Sequence, residues 1–428
     1  MEFKMQLNQE ELDVLEGKQG ETLQKIMKTV VQYGDLYGAK KFVPITGPSH
    51  FATSFGLQHL EAMFDILDEM IKNGIKAKTS FTVNPKPFDK EHVKVTGGQK
   101  GALRKIYGRQ SELEEKLNAL GIKDNHAYTC TSYLDEVKDT PAADSILAWS
   151  YPPSVIYANS VLGAKTNLNP PLIDLFCAVL GKVPEYGLLT DEGRKATWNV
   201  VLNTRNMPNP HILGHAIAMK TQGETPYIQG VETFLGRRIE EGLQDALKDM
   251  GAVLSTSGTS LFHVDHITPE AVKMGKKLMV EHPQVYIVDD EELADLELSY
   301  PSPWKKKNVK PAACFIGCPH LTTNQIEYWA STIFRGLKMH GKTKVSIPTY
   351  LCAAPDVIAR FKTNYNLNTK VEEAGIQFTG LCPVAFMKNS KMLLKPVVTN
   401  SNILRMNANI RYYNDSELSS IIATGRCL

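Results

Sequence analysis

The sequence predicts an α/β protein in which helices cover parallel sheets, and three observations favour this fold class. Buried strands and helices alternate in the last third of the chain, which is typical of parallel sheets. Cysteines and polar turn residues follow several of these strands, at the edge where such sheets bind ligands. The 428 residues are 43% hydrophobic and 22% charged, so a large core can form without disulfides.

The pattern of apolar residues in the N-terminal part predicts amphipathic helices and short strands. Apolar residues recur at helical spacing in three stretches, and glycine or turn residues separate these from two short apolar runs. The predicted helices span 8–38, 53–74 and 99–121, and the predicted strands span 41–45 and 126–129. A loop rich in turn residues and hydroxyls follows the first strand, and Cys130 follows the second.

The middle of the chain is less regular. Prolines interrupt the segment 150–171. A helix is predicted over 231–250, closed by Gly251, and a short strand over 252–254. The loop of small hydroxyl residues at 255–260 comes next.

The last third predicts a β-α-β-α-β unit, the pattern of a parallel sheet. Its predicted strands are 309–316, 344–347 and 376–381, and its predicted helices are 322–337 and 354–374. Prolines and lysines cluster at 298–308, so we expect a domain boundary there. The expected division is an N-terminal α/β region of more than one unit, 1–300, and a C-terminal unit, 301–428.

Charge and hydropathy exclude several classes of function. The formal net charge is +2, too small to attract nucleic acid or an anionic membrane. No apolar stretch approaches the ~18 residues that span a bilayer, and the polar N-terminus lacks a signal-peptide core. We therefore expect a cytoplasmic protein that binds neither nucleic acid nor membrane. In that compartment the seven cysteines are free thiols, metal ligands or nucleophiles.

Three cysteines are the candidate ligands of a metal site. Cys318 lies two residues past the first strand of the C-terminal unit, Cys382 follows the third strand, and Cys130 follows the strand at 126–129. Since the carboxyl ends of parallel strands meet at one edge, we expect Cys318 and Cys382 to converge. Thiolates favour soft metals, chiefly iron–sulfur clusters. Three of them leave one iron open to act as a Lewis acid on a leaving hydroxyl.

Other interpretations of the cysteines stay open. Dispersed cysteines without a Cys-x-x-Cys pair are commonly buried as small hydrophobic residues, and we expect this of Cys177 and Cys314. Cys352 is expected in the core or in a loop, with a ligand role as the alternative. Cys427, next to the C-terminus, is expected to be exposed. A metal-free enzyme that uses Cys130 or Cys382 as its nucleophile, with a nearby histidine, is a further alternative.

Several segments resemble the signature segments of the aconitase X family, in order along nearly the whole chain. Residues 157–167 (YANSVLGAKTN) and 315–320 (FIGCPH) are specific enough to make a chance match improbable. The other segments are 128–131 (YTCT), 184–188 (PEYGL), 262–264 (FHV), 375–383 (GIQFTGLCP) and 399–401 (TNS).

The resemblance implies an aconitase-superfamily-like fold of α/β/α units with parallel sheets. It implies an iron–sulfur cluster, of open nuclearity, held by Cys130, Cys318 and Cys382. It also implies a hydro-lyase that dehydrates a small hydroxy-carboxylic acid, because family activities include dehydration of mevalonate 5-phosphate and of cis-3-hydroxy-L-proline. A small swivelling-domain partner subunit is implied as well. In the superfamily that domain carries the serine base, and no residue of this chain matches it.

Four segments depart from the family pattern. Leu168 stands where the family usually has an arginine, which removes a cation suited to a carboxylate or phosphate. Ser150–Ser154 replaces a run of the Gly-Glu-Ser type, Asn402-Ile403 replaces Gly-Lys, and the loop 46–51 is one residue longer. We interpret these departures as a preserved cluster with an altered substrate pocket. The alternative is a non-catalytic or substrate-shifted paralogue that acts as a binding or assembly subunit.

Polar residues beside the predicted cluster are candidates for the other roles in a dehydration, which needs a base, an acid and donors for a carboxylate. His50 and His263 are the candidate proton carriers, and His320 is a candidate to orient a cluster sulfur. The candidate substrate-binding residues are Ser49, Asn159, Ser160, Ser257, Asn400 and Ser401. Serine and asparagine also serve as turn and cap residues, so structural roles stand as the alternative.

Overall fold

The computed structural model describes residues 3–53, 55–235, 241–304, 308–388, 395–407 and 409–427, and it has the predicted α/β architecture. The strands are β1 Phe42–Pro44, β2 Ser49–Phe51, β3 Phe81–Val83, β4 Lys182–Pro184, β5 Ala196–Asn203, β6 Pro226–Gln229, β7 His263–Val264, β8 Met279–Asp289, β9 Ala313–Leu321, β10 Thr349–Ala353, β11 Ile376–Thr379, β12 Val397–Thr399 and β13 Ile410–Tyr412.

The α-helices lie between and around these strands. They are α1 Gln9–Leu15, α2 Glu21–Leu36, α3 Glu61–Lys72, α4 Gly97–Ile106, α5 Gln110–Leu120, α6 Pro152–Tyr157, α7 Pro171–Leu180, α8 Pro210–Thr221, α9 Glu232–Leu235, α10 Glu241–Leu254, α11 Pro269–Met274, α12 Asp290–Leu298, α13 Thr323–Met339, α14 Pro355–Lys362, α15 Tyr365–Glu373, α16 Pro383–Lys388, α17 Asn402–Arg405 and α18 Asp415–Thr424. Within the described residues, none of the helices has the length and apolar character needed to cross a membrane.

The C-terminal sheet has the strand order β11-β10-β9-β12-β13, and all neighbouring strands are parallel. Helix α13 joins β9 to β10, and α14 with α15 joins β10 to β11, which confirms the predicted β-α-β-α-β unit. The prediction of its middle strand at 344–347 is wrong. Strand β10 begins at Thr349 because 349–353 is fully buried between its neighbours, whereas Lys344 is exposed. The lysines at 305–307, within the expected domain boundary, lie outside the described residues.

A second parallel sheet has the order β7-β6-β5-β8, and its core is shared with α8 and α10. The prediction of a strand at 252–254 is wrong, because α10 continues to Leu254. Gly251 does not end this helix. A β-carbon at Gly251 would lie 3.0 Å from the ring of Phe262, so the glycine permits close packing.

Two smaller sheets belong to the N-terminal part, with β1 antiparallel to β4 and β2 parallel to β3. The helix predicted over 8–38 is two helices, α1 and α2. Gly17 and Gly20 separate them, with φ of 85° and 97°. The helix predicted over 99–121 is likewise divided into α4 and α5.

Two further N-terminal elements are shorter than predicted. The helix predicted over 53–74 is α3, which begins at Glu61 and is followed by Gly74 at φ of 68°. The strand predicted over 126–129 is reduced to one parallel bridge between Tyr128 and Val83. This bridge nevertheless places the residues that follow it beside the C-terminal sheet.

Candidate functional site

Cys318 lies at an interruption of β9, the central strand of the C-terminal sheet. Strand β9 pairs with β10 on both sides of the segment 317–320, which stands opposite the single residue Cys352. Gly317 has φ of 104°, and a side chain there would run into the Cys352 carbonyl. The Cys318–Pro319 peptide is cis. Cys318 therefore lies within β9, and the prediction that it lies two residues past a strand is wrong. The bulge in β9 presents its thiol.

Two other segments bring Cys382 and Cys130 to this bulge. Cys382 precedes α16, and its N–H donates to the Lys86 carbonyl at 2.7 Å. Its sulfur accepts a hydrogen bond from the Ala385 N–H at 3.4 Å. The Cys130 sulfur accepts one from the backbone N–H of His320 at 3.2 Å, so Cys130 is fixed directly on the bulge.

The three thiols line one cavity of about 340 Å³, called here the cysteine cavity. Its remaining walls are mostly apolar and include Phe55, Leu57, Pro85, Pro153, Val384 and Ile403. Among the described lining residues, Lys388 carries the one positive charge, since His320 is held neutral as described below. The cavity therefore combines soft ligand atoms with a largely water-excluding wall.

Burial makes the three thiols reluctant to ionise. It raises the pKa of Cys130 to about 12, raises that of Cys318 well above its ordinary value, and raises that of Cys382. The charge of Cys382 raises the pKa of both Cys130 and Cys318 further, so the sulfurs are close enough to interact. Such thiols are poor free nucleophiles, whereas a bound metal would deprotonate them.

The donor set is of the kind that an iron–sulfur cluster uses, since three cysteine thiolates are soft ligands. Across the described residues, no group of three or more His, Cys, Asp or Glu side chains is placed to hold one metal ion. In a four-iron cluster each cysteine thiolate binds a different iron, so the sulfurs stand farther apart than they do around one ion. Three thiols arranged around one cavity are compatible with that spacing.

A buried lysine contacts the bulge. Lys248 on α10 is 2% exposed, and its ammonium donates to the His320 carbonyl at 3.2 Å and to Asp249 at 2.6 Å. Its positive charge lowers the pKa of Cys130 and Cys318, against the effect of burial. A lysine of the second sheet unit thus lies near Cys130 and Cys318.

His320 connects the three cysteine segments. Its Nδ1 is 3.2 Å from Thr129 Oγ1, and its Nε2 is 3.1 Å from the Leu381 carbonyl oxygen. These partners immediately precede Cys130 and Cys382. Burial lowers the pKa of the imidazole to about 4, so the ring is neutral. The ring holds the segments together while the backbone N–H contacts a sulfur.

His50 lies in β2 and is not among the residues that line the cavity. It is fully buried, and its Nδ1 is 2.8 Å from the Oγ1 of Thr82, whose hydroxyl donates to Asp139 at 3.3 Å. Its Nε2 has no hydrogen-bond partner. Burial lowers the pKa of His50 to about 3. Its ring contacts Tyr151, which does line the cavity, with centroids 6.0 Å apart.

Three predicted substrate-binding residues lie in the segments around β2 and β12. The Ser401 hydroxyl donates to the Cys318 carbonyl at 2.5 Å, and its proximity lowers the pKa of the Cys318 thiol. Ser49 is fully buried, and its hydroxyl has no hydrogen-bond partner. Asn400 donates to Asp415 at 3.2 Å. None of the three lines the cavity, although Ser401 contacts a cysteine that does.

Asn159 and His263 belong to a second buried group, called here the Arg194 cluster: Arg194, Glu270, Asn159 and His263. Arg194 is 1% exposed and binds Glu270 through Nε at 2.6 Å and Nη2 at 2.8 Å. It donates to the Asn159 side-chain oxygen at 3.2 Å. The Nε2 of His263 is 2.9 Å from the Arg194 carbonyl oxygen. None of these residues lines the cysteine cavity.

Ser160 and Ser257 have local structural partners. The Ser160 hydroxyl accepts a hydrogen bond from the Phe262 N–H at 2.8 Å. Ser257 donates to the Leu254 carbonyl at 2.8 Å at the end of α10. Neither residue lines the cysteine cavity, so the structure does not bring them to the thiols.

The other cysteines lie in the core. Cys177 and Cys314 are fully buried, as predicted, and Cys352 is fully buried within β10. The prediction that Cys427 is exposed is wrong, because it is 2% exposed and its N–H donates to the Val309 carbonyl at 2.9 Å. This hydrogen bond and the surrounding apolar residues anchor the end of the chain.

Two of the four segments that depart from the family pattern reach the cavity. Tyr151 and Pro153 come from one of them and Ile403 from another. Leu168 does not line the cavity and packs against the core of the second sheet unit. Sequence reasoning missed Tyr151 and Lys248 as individual residues. For Tyr151 the departure was the available signal, whereas no pattern distinguishes Lys248 from other helical lysines.

A larger cavity of about 560 Å³ is lined in part by Leu381 and has no cysteine among its lining residues. Its charged groups are mostly paired within the chain. Lys86 bonds Glu114 at 2.9 Å, and His92 bonds Asp89 at 2.9 Å. Size alone therefore does not single out a cavity, and the cavity lined by the three thiols is the candidate site.

Comparisons with known proteins agree with the predicted fold and with the family resemblance. A family model described as the aconitase X first domain matches residues 4–192, and one described as the aconitase X second domain matches residues 196–297. A solved structure of Thermococcus kodakaraensis aconitase X in its holo form superposes with a TM-score of 0.79 at 24% identity, covering 98% of this chain and 100% of that one. This likeness confirms the predicted aconitase-like α/β fold.

Curated relatives fall into two named activities. The chain is 32% identical over 331 residues to the phosphomevalonate dehydratase large subunit of Methanothermobacter thermautotrophicus, covering 77% of each protein. It is 28% identical over 359 residues to the protein of that name from Thermococcus kodakarensis, covering 83% of each. It is 28% identical over 280 residues to cis-3-hydroxy-L-proline dehydratase of Pseudomonas aeruginosa, covering 60% of this chain and 42% of that protein.

Proposed function

The chain belongs to the aconitase X family, and on that premise we propose that it is an iron–sulfur-dependent hydro-lyase, the large subunit of a dehydratase. Its substrate is a small hydroxy-carboxylic acid of the kind represented by mevalonate 5-phosphate and cis-3-hydroxy-L-proline. A small swivelling-domain subunit completes the site, and the enzyme works in the cytoplasm. The relatives named as large subunits support the partner.

One observation carries the proposal: three cysteines from separate parts of the chain line the same cavity. Cys130, Cys318 and Cys382 would hold the cluster. When bound, the cluster supplies a Lewis-acidic iron with an open position for a leaving hydroxyl. Because the thiols are buried and their pKa values are raised, a metal-free cysteine nucleophile is the poorer explanation.

The chain's own residues prepare the cavity for that chemistry. Lys248 offsets part of the negative charge that three thiolates bring into a buried site. The apolar walls exclude water and strengthen electrostatic interactions with the substrate. Lys388 lines the cavity and is placed to attract the substrate's carboxylate or phosphate.

For proton transfer we retain His50 and not His263. The His50 ring contacts the cavity-lining Tyr151, whereas His263 is hydrogen-bonded within the Arg194 cluster. The chain Asp139–Thr82–His50 links a buried carboxyl to the free Nε2 of the imidazole. We propose that the base which removes the α-proton comes from the partner subunit, so this chain alone should turn over little substrate.

Anaerobic purification followed by iron and sulfide analysis tests the proposal. We expect a coloured protein with about two to four irons per chain, the content of one common cluster. A colourless, iron-free chain after anaerobic reconstitution would contradict the proposal of an iron–sulfur enzyme. With the partner subunit added, we expect dehydration of a hydroxy acid from a panel that includes both named substrates.

A specific observation supports a second candidate, a non-catalytic or substrate-shifted paralogue. Tyr151, Pro153 and Ile403 line the cavity at positions where the family pattern differs. Under this alternative the chain still takes up iron and binds its partner subunit, but the reconstituted pair dehydrates neither named substrate. Turnover of either named substrate by the reconstituted pair would exclude this alternative.

A further inference from the structure

His50 is hydrogen-bonded at one ring nitrogen, and the partners of that nitrogen decide what the other nitrogen can do. The Nδ1 of His50 is 2.8 Å from Thr82 Oγ1, and the Thr82 hydroxyl donates to Asp139 Oδ2 at 3.3 Å. The Nε2 is buried and has no hydrogen-bond partner among the described residues. The three side chains therefore form one row of hydrogen bonds that ends at an open imidazole nitrogen.

The backbone holds this row in place. His50 and Thr82 are register partners in the parallel pair β2–β3, so their side chains lie beside each other on one face of the pair. On its other side β2 is bonded to the segment before Tyr151. The His50 N–H donates to the Ala148 carbonyl at 3.3 Å, and the Ser150 N–H donates to the His50 carbonyl at 3.0 Å. The imidazole is thus fixed by bonded backbone on both sides.

The direction of the two side-chain hydrogen bonds follows from the charge of Asp139. A carboxylate only accepts, so an ionised Asp139 takes the single hydroxyl proton of Thr82, and the Thr82 oxygen accepts from an Nδ1–H of His50. A neutral imidazole has its proton on one nitrogen only, which leaves Nε2 as a bare acceptor. A protonated Asp139 donates to Thr82 instead. The Thr82 hydroxyl then donates to Nδ1, and the ring proton is on Nε2.

We propose that Asp139 and Thr82 are positioning residues that select the tautomer of His50, so that Nε2 is a proton acceptor when Asp139 is ionised and a proton donor when Asp139 is neutral. For the reaction, this means that the neutral imidazole donates from Nε2 only while Asp139 is protonated. The consequence for catalysis rests on the proposed function. The tautomers themselves require neither the cluster nor the substrate.

The charged groups around Asp139 set the pH at which the tautomer changes. Burial raises the pKa of Asp139 to about 6. The Lys123 ammonium and the Thr82 hydrogen bond act in the opposite direction, and the Asp124 carboxylate raises the pKa further. The tautomer of His50 should therefore change at about pH 6.

His50 itself stays neutral over this pH range. Burial lowers the pKa of its imidazole to about 3. The rings packed against it belong to Trp149 and Tyr151, and burial raises the pKa of the Tyr151 phenol well above its ordinary value, so neither ring is charged. Asp139 is thus the group whose ionisation reaches the imidazole through hydrogen bonds.

The test is nuclear magnetic resonance of the full chain, labelled with 15N in its 11 histidines and recorded on both sides of pH 6. The chemical shifts of the ring nitrogens report which one has the proton, because the two nitrogens are chemically distinct. His50→Gln identifies the His50 signals by their loss. We expect the proton of His50 on Nδ1 above about pH 6 and on Nε2 below it.

Thr82→Val and Thr82→Ser are a matched pair, since valine keeps the shape of threonine without the hydroxyl and serine keeps the hydroxyl. The change of tautomer should be lost in Thr82→Val and in Asp139→Asn, and it should be kept in Thr82→Ser. Asp124→Asn removes a neighbouring carboxylate but leaves the hydrogen-bonded one. The change should therefore persist in Asp124→Asn and move to lower pH.

The pH dependence of kcat is the second readout, measured on the chain reconstituted with its cluster and partner subunit. Wild type and Thr82→Ser should show a step in kcat near pH 6, and Thr82→Val and Asp139→Asn should lack it. The KM should be the same in all four, because neither Thr82 nor Asp139 lines the cysteine cavity.

The outcomes separate this inference from the proposed function. A single tautomer of His50 at every pH, a doubly protonated ring near pH 6, or a change that survives in Thr82→Val or Asp139→Asn overturns the selection of the tautomer by these residues. A change of tautomer without the step in kcat overturns its consequence for catalysis. A chain that takes up no iron contradicts the proposed function alone, because the tautomers do not depend on the cluster.

Discussion

The cysteine cavity and the Arg194 cluster both contain buried side chains that the sequence puts forward as candidate site residues. In the Arg194 cluster the guanidinium is bonded to Glu270, Asn159 and main-chain carbonyls. In the cysteine cavity, thiols with raised pKa values face an apolar space and one another. Buried groups with satisfied partners stabilise a fold, whereas perturbed groups that line a cavity mark a functional site.

This difference explains why burial and polarity alone did not identify the site. His263 and Cys130 are both nearly inaccessible, but Cys130 lines the cysteine cavity and His263 does not. We therefore expect substitutions in the cysteine cavity to alter the metal content, and substitutions in the Arg194 cluster to alter the stability of the fold. Cys318→Ser and Arg194→Met test that separation, and two further substitutions extend it to buried groups outside both regions.

The largest effect is expected for Cys318→Ser. It should abolish iron binding while leaving the fold intact, because a serine hydroxyl is a poor ligand for a soft cluster and fits in the same space. Iron analysis measures the loss of metal, and far-UV circular dichroism checks that the fold is intact. Cys352→Ala is the matched control, since Cys352 is buried opposite the bulge but does not line the cavity. Full iron content in Cys318→Ser would break the ligand assignment.

Arg194→Met should be the most destabilising substitution outside the cavity. It leaves Glu270 without its partner, and breaking a buried ion pair costs about 3–5 kcal/mol. Urea unfolding should show this loss, whereas Arg205→Met should cost no more than ~1 kcal/mol because its pair with Asp290 is exposed. Iron content per folded chain should stay at the wild-type level. A loss of iron without a loss of stability would contradict the structural role.

Asp174 extends the comparison to a buried acid that lies outside both regions. Burial raises the pKa of Asp174 to about 8, so the folded state favours the protonated form. The unfolded chain releases this proton near the ordinary value of about 4, so stability should fall as pH rises from about 4 toward about 8. Asp174→Asn should flatten this fall in thermal melts.

The smallest effect is expected for Ser160→Ala. It leaves the buried N–H of Phe262 without an acceptor, which costs about 1–3 kcal/mol. The melting temperature should fall modestly, and the KM of the reconstituted enzyme should not change. A raised KM with unchanged stability would restore Ser160 to the substrate-binding residues.

Regular elements of the fold were predictable because their signals are local. Thr322 and Gln325 form the capping box that starts α13, and the sequence spacing alone indicates it. The parallel order of β9, β10 and β11 follows from helices that connect them. Where a boundary was misplaced, as at 252–254, the reason is tertiary. Gly251 serves the packing of Phe262 and does not end a helix.

The convergence of the three cysteines on one cavity was predictable from the sequence, whereas the residues around them were not. The ends of the predicted strands and the family segments pointed to the thiols, but the bulge that presents Cys318 depends on the register between β9 and β10. Lys248 reaches the bulge from another unit of the chain. His263 was put forward because histidine suits proton transfer, and only its partners reveal its place in the Arg194 cluster.

X-ray absorption at the iron edge of the anaerobically reconstituted wild-type chain tests the central claim most directly. If Cys130, Cys318 and Cys382 hold a cluster, the iron should show a sulfur-dominated first shell and an iron–iron distance characteristic of a cluster. A first shell of nitrogen or oxygen without neighbouring iron, or a chain that retains no iron, would contradict the claim that the cysteine cavity is the functional site.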